Sequence, residues 1–271
     1  MKTKFLSISF ADEKPLFMKD LQVPSALKVL VLAPHPDDFD AIAITMRFLR
    51  DNGNEIHVAV ISSSASGVED SFCLKHLGKT KAEIREKEQR DSCRFFGLPD
   101  ERLEFLRLGE DKNGDPEDSL SNTDIIRKFV GKIRPDIVFM PHYNDSNQGH
   151  RRSFAMFEKI AKELASPITA FLNLDPKTIE MKAEVFTVFD TEDAAWKGEL
   201  LRIHASQHQR NLNTRNCGFD ERVLRENRKA AERFLNRADA YAEAFEVVKI
   251  PSTAIPQDDG LIKNVRQASR L

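Results

Sequence analysis

The stretch 31–40, VLAPHPDDFD, places one imidazole and two carboxylates within four residues: His35, Asp37 and Asp38. Pro36 stiffens the backbone between the imidazole and the acids. Adjacent acids on so short a stretch point in different directions, so one can ligate a metal while the other faces a water. A hydrolytic zinc site needs that division: three protein ligands, one open position, and a base beside it. His35 and one of the two acids supply part of the set, and a further ligand must come from elsewhere. Taken alone, His-Pro-Asp-Asp reads equally well as a turn whose aspartate caps the next helix.

A second polar segment, DIVFMPHYNDSNQGHRRSF (136–154), offers His142, Tyr143, Asn144, Asp145, Asn147 and His150. A lone histidine at a helix start is more often a capping or surface group. Its position argues for more, because both polar segments leave the ends of expected strands. KVLVLAP, from Lys28, is a continuous apolar run, the mark of a strand buried on both faces. DIVFMPH is another, and EIHVAVISSS and RLEFLRL lie between them. Helices are expected over 40–53, from Lys79 to Phe96 with Gly97 closing it, from Thr123 to Ile133 with Thr123 as N-cap, and from Gly149 to Leu164. Strands alternating with helices imply an α/β fold, a Rossmann-like three-layer sandwich around a mostly parallel sheet. The carboxyl ends of such strands are where ligand sites form. If the first and fourth strands are neighbours, His150 can face His35 and Asp38.

Beyond Pro167 the pattern loosens. ITAFLNL and AEVFTVF read as a hairpin or an edge extension, and 193–208 and 221–241 as helices. Residues 1–27 read as an irregular N-terminal extension, 28–250 as one domain, and 251–271 as a polar tail.

Composition narrows the function. The 271 residues carry 41 Lys+Arg against 43 Asp+Glu, a net charge of −2, which favours neither nucleic acid nor an anionic membrane. The basic stretch 225–237 is interleaved with Glu226 and Glu232, so no nucleic-acid partner is expected. No apolar run approaches the roughly 20 residues that span a bilayer, and the N-terminus shows no h-region of a signal peptide. Cys73, Cys93 and Cys217 form neither a disulfide framework nor a CxxC site, so a cytoplasmic setting is expected.

Several motifs in order resemble the PIG-L/LmbE family of zinc-dependent sugar N-deacetylases, over about residues 28–247. The family's Ala-His-Pro-Asp-Asp-Glu stands here as Pro34-His35-Pro36-Asp37-Asp38-Phe39. Its Arg-x-x-Glu and Leu-Gly correspond to Arg85, Glu88 and Phe96-Gly97, and the Asp ending its next strand corresponds to Asp111. Asp-x-His-x-Asp-His reads Asp145-Ser146-Asn147-Gln148-Gly149-His150. His-x-Ser-Gln and Tyr-Ala-Glu-Ala-Phe occur at 204–207 and 241–245.

The resemblance implies Zn2+, or another divalent metal, on His35, Asp38 and His150, with Asp37 as general base. It implies sugar contacts at Arg85 and Asp111, and His204 is expected with them as a substrate contact. The implied substrate is a small N-acetylated sugar conjugate, and the resemblance also allows a homo-oligomer. A metal-dependent amidase on a non-sugar N-acyl substrate and a non-catalytic metal- or sugar-binding relative are the alternatives. The chain departs from the family at Phe39, Asn147 and Gly149. Asn147 can donate a hydrogen bond to an oxyanion but not a proton. His142 or His204 is therefore expected to supply an imidazole from another direction, with Asp145 orienting it. Most of the charged run around Arg85 and Arg90 reads as a solvated helix face, and Trp196, Tyr241 and Phe245 as packing residues.

Overall fold

A computed structural model describes residues 15–76, 78–164 and 168–250. The expected C-terminal tail, 251–271, lies outside them, as does most of the N-terminal extension.

The strands are β1 (Leu16–Phe17), β2 (Lys28–Ala33), β3 (Glu55–Val60), β4 (Leu103–Phe105), β5 (Ile137–Pro141), β6 (Ile168–Asn173), β7 (Val185–Phe189) and β8 (Tyr241–Ile250). They form one eight-stranded sheet in the order β1-β7-β8-β6-β5-β2-β3-β4. Only β8 runs against its neighbours; the other pairings are parallel. β2 explains the layering. Val29, Val31 and Ala33 pack into one core with Met46, Leu49 and Phe96, while Leu30 and Leu32 pack into another with Ile126, Val130 and Phe157. Alternate residues of one strand thus feed two apolar layers, as the two-fold period of a strand requires.

The helices covering the sheet are α1 (Ala43–Asp51), α2 (Asp70–Cys73), α3 (Lys81–Phe96), α4 (Leu120–Ile133), α5 (Gln148–Lys162), α6 (Thr191–Arg202), α7 (Ala205–Arg215) and α8 (Phe219–Leu235). A reciprocal capping box between Thr80 and Glu83 starts α3, and Gly97, at φ 87°, ends it in the left-handed conformation that glycine tolerates. Among the described residues no helix is long and apolar enough to cross a membrane.

β2 runs on to β3 and β4 on one side, while β5 returns to pair with its other side. The sheet order therefore reverses between β2 and β5, and the crevice outside their carboxyl ends is the usual ligand position of open α/β sheets.

Four local expectations are corrected. α4 begins one turn early, because Ser119 rather than Thr123 accepts the capping N–H, that of Asn122. The helix expected over 193–208 breaks at Ile203-His204, where His204 turns its ring into the core. The helix expected to reach Tyr241 ends at Leu235, with Asn236 left-handed at φ 53°. The segment from Tyr241 is β8, and it inserts between β6 and β7, so those two strands form no hairpin. Ala242 and Ala244 face one layer while Phe245 lies in another, a two-residue period that a helix-weighted reading overlooked.

Candidate active site

β2 delivers the 34–38 loop to the crevice. The His35 N–H donates to Asp38 Oδ2 (2.8 Å), and His35 Nδ1 lies 3.2 Å from the same oxygen. From the first turn of α5, after β5, His150 Nε2 approaches Asp38 Oδ1 at 3.6 Å. Ligand atoms of His35, Asp38 and His150 all fall within 4.8 Å of one another. The parallel register of β2 on β5 thus brings together the two histidines that the sequence separates by 115 positions.

Asp145 fixes His150. Its Oδ2 stands 3.0 Å from His150 Nδ1, while its Oδ1 accepts the Asn147 N–H at 2.6 Å. Asp145 is fully buried. An acceptor at Nδ1 leaves Nε2 to face the cleft, which is the arrangement that aligns ligating histidines. Burial pulls the His150 pKa down, but Asp38 and Asp145 outweigh it and hold the imidazole up at about 10. Burial likewise opposes ionisation of Asp38, yet His150 and His35 keep its carboxyl well below the usual range.

Asp37 sits beside this group in an unusual backbone conformation. Its φ is 109°, a region costly for a residue with a side chain, by about 1–3 kcal/mol. Three contacts hold it there. Its N–H donates to Gln89 Oε1 (2.7 Å); Arg85 Nη2 donates to Asp37 Oδ2 (3.1 Å); and Arg85 also bonds the Pro36 carbonyl. Arg85 lies on α3 and is 1% exposed, so it is not part of the solvated face of that helix.

The departures from the family pattern have structural consequences. Phe39 is wholly buried, edge-on to Phe96 at 5.0 Å, and belongs to the core. Asp40, also buried, turns away from the cleft to bond Gln89, Ser92 and His204. At Gly149 a Cβ would lie 2.8 Å from His35 Nε2, so a side chain there would collide with the ring as it now stands. Asn147 lines the cleft and caps α5, its Oδ1 accepting the Gly149 N–H at 2.9 Å.

Three expected site residues stand elsewhere. His142 is buried: its Nδ1 accepts the Asn144 N–H and its Nε2 meets Glu246 at 3.1 Å, away from the cleft. His204 is fully buried, with Nε2 on Asp40 Oδ2 at 2.9 Å. Asp111 closes the 111–115 turn through the Asn113 and Asp115 N–H groups and bonds Arg152 at 2.7 Å. That turn, rather than Asp111 itself, brings Asn113 and Asp115 to the cleft. Neither imidazole belongs to the ligand group or lines the cleft.

One acid escaped the sequence reading. Asp175, two residues beyond β6, lines the cleft, and one of its oxygens groups with Asp145 and His150 within 4.8 Å. Burial pushes its carboxyl up from the ordinary value. The available signal was an Asp-Pro at the end of an apolar run, next in the sheet to β5.

The cleft has a volume of about 630 Å³ and is lined by His35, Asp37, Asp38, Arg85 and His150, with α7 and α8 along one side. Two imidazoles and a carboxylate facing an open cleft are the donor set of a catalytic zinc site, with room for water and substrate.

Residues 30–161 match the family model PIG-L, described as GlcNAc-PI de-N-acetylase. A search of curated proteins finds no match. The fold is shared with N,N'-diacetylchitobiose deacetylase from Pyrococcus horikoshii, at 21% identity and a TM-score of 0.64, over 84% of this chain and 87% of that one. A deacetylase of the teicoplanin biosynthetic pathway, solved as a triple mutant, has 15% identity and a TM-score of 0.62, over 84% and 100% of the chains. GalB, the 4-carboxy-2-hydroxymuconate hydratase from Pseudomonas putida KT2440, also shares the fold, at 19% identity and a TM-score of 0.59, over 83% and 96%. The fold thus hosts more than one reaction, and the chemistry must be argued from the site. The segment 30–161, which the PIG-L family model matches, carries both site loops.

Proposed function

We propose that this chain is a divalent-metal-dependent hydrolase that removes an N-acetyl group from an amino-sugar substrate. One observation carries the reading: His35, Asp38 and His150 converge within 4.8 Å while Arg85 fixes the Asp37 carboxylate beside them, on a cleft large enough for a sugar. The description of the family and the deacetylases among the shared folds support the same reaction. His35, Asp38 and His150 would hold the ion, with Zn2+ the best match to imidazole and carboxylate donors and other divalent ions admissible. A bound zinc supplies Lewis acidity, polarising a carbonyl and acidifying a water toward neutrality.

The residues of the chain do the rest. Asp37 takes a proton from the water as its oxygen forms a bond to the acetyl carbon. Asn147, at the α5 N-terminus, faces the cleft where a negative oxygen develops. Cleavage of the C–N bond releases acetate, and Asp37 returns the proton to the leaving amine. Arg85 keeps Asp37 in place throughout.

The test is acetate release from N-acetylated amino sugars, with N-acyl amino acids run in parallel. Chelator-stripped protein should be inactive and regain activity with zinc or another divalent ion. Release that survives chelation would contradict the metal requirement. Release from N-acyl amino acids alone would favour the non-sugar amidase, and no release from metal-loaded protein would favour a non-catalytic relative.

A further inference from the structure

One face of α3 serves Asp37 twice. Arg85 and Gln89 stand one helical turn apart. Arg85 takes the Asp37 side chain, and Gln89 Oε1 accepts the Asp37 N–H at 2.7 Å. A primary amide has an oxygen that only accepts and a nitrogen that only donates. Gln89 can therefore hold the Asp37 N–H only while its nitrogen is turned the other way. The group on that other side is Asp40, whose Oδ2 accepts from Gln89 Nε2 at 3.0 Å.

Asp40 is itself fixed from several sides. His204 Nε2 meets the same Oδ2 at 2.9 Å, and the Ser92 hydroxyl donates to Oδ1. The Asp40 N–H donates to the Asp37 carbonyl at 3.1 Å. Asp40, Gln89, Ser92 and His204 are all fully buried, and none of them lines the cleft. Polar side chains are tolerated at such depth because each finds a partner. What this set secures is one backbone geometry. The Asp37 residue is pinned at its N–H by Gln89 and at its carbonyl by Asp40, with φ at 109°. Without these bonds Asp37 would relax toward negative φ, and its carboxylate would swing away from Arg85 and the ligand group.

We propose that Gln89 and Asp40, backed by His204, are positioning residues for the base. The Asp40 carboxylate sets the direction of the Gln89 amide, and the amide holds Asp37 in the conformation that keeps its carboxylate beside His35, Asp38 and His150. This inference rests on the reading of Asp37 as the base of the deacetylase reaction.

The test reads the Asp37 amide and the reaction separately. Hydrogen exchange at the Asp37 N–H is followed by NMR in zinc-equilibrated, 15N-labelled full-length protein, with acetate release from N-acetylglucosamine measured in parallel. Gln89→Met removes both hydrogen bonds at similar volume. It should speed Asp37 exchange about tenfold while the β2 amides keep their rates. It should lower kcat about 10- to 100-fold, with KM and zinc content near the wild-type values. Asp40→Leu keeps the shape and removes the acceptors, and should have the same effects from a residue with no hydrogen bond to the Asp37 carboxylate. Asp40→Asn, with one acceptor oxygen left, should recover most of the rate. Where Asp40→Leu fails to fold, Gln89→Met decides. Unchanged exchange and kcat in Gln89→Met would overturn the proposal, as would a fall in kcat matched by loss of zinc and of β2 protection. Faster Asp37 exchange in Gln89→Met, with no acetate release from the wild type, would leave the network standing and remove the deacetylase reading. Acetate release that Gln89→Met leaves unchanged would do the reverse.

Discussion

Asp145 Oδ2 stands 3.0 Å from His150 Nδ1, inside the core, and so decides which nitrogen His150 presents to Asp38 and the cleft. Through His150 the pair joins the segment after β5 to Asp38 in the loop after β2. Asp145→Asn keeps the shape but weakens the acceptor. Metal affinity should fall about 10- to 100-fold, read by competition with a chromophoric chelator. An unchanged affinity would mean that His150 is aligned by packing alone.

Asp37→Asn should lower kcat by about 10²–10⁴ while metal stoichiometry stays at the wild-type value. The replacement preserves the contact with Arg85 in outline but removes the base. Turnover near the wild-type rate would show that another group takes the proton.

Metal uptake should depend steeply on pH. In the metal-free protein His150 is held protonated up to about pH 10 by Asp38 and Asp145. A metal needs the neutral imidazole, so binding displaces that proton, and affinity falls as pH falls. Between pH 8 and 6 the apparent dissociation constant should rise about tenfold per unit for one displaced proton. A flat profile would mean that the imidazole is already neutral.

Lys197→Met tests the support beneath the site. Lys197 Nζ donates to Glu243 Oε1 at 2.6 Å with both side chains buried, and Glu243 also accepts the Ile44 and Thr45 N–H groups at the start of α1. Removing the ammonium strands a buried carboxylate, a loss of about 3–5 kcal/mol. The urea midpoint should drop accordingly, and Lys197→Met with Glu243→Leu should recover part of it. No change in midpoint would contradict the buried pairing.

The two-sided apolar run at Lys28–Ala33 and the polar segments at the strand ends would put His35, Asp38 and His150 at one sheet edge if the first and fourth strands were neighbours, and β2 does pair with β5; the choice of these three as a ligand set came from the family resemblance. The roles of the flanking motifs were not legible. His-x-Ser-Gln looks like a site motif, yet His204 holds Asp40, Ser206 holds Glu88, and Gln207 alone of the three reaches the cleft. Tyr-Ala-Glu-Ala-Phe has helical composition but lies in β8, where Glu243 caps α1 from within the core. Both cases turn on long-range partners, between 118 and 199 positions away for Ser206 and Glu243, which local periodicity does not report. Asp175 was missed for the same reason: its neighbours His150 and Asp38 come from other loops.

The most direct test is the metal content of the purified protein, wild type beside His150→Ala, by elemental analysis after equilibration with zinc. About one ion per chain in the wild type and a near-complete loss in the variant is the result that the converging His35, Asp38 and His150 predict. No ion in the wild type, or equal retention in both proteins, would contradict the metal centre on which the proposed reaction stands.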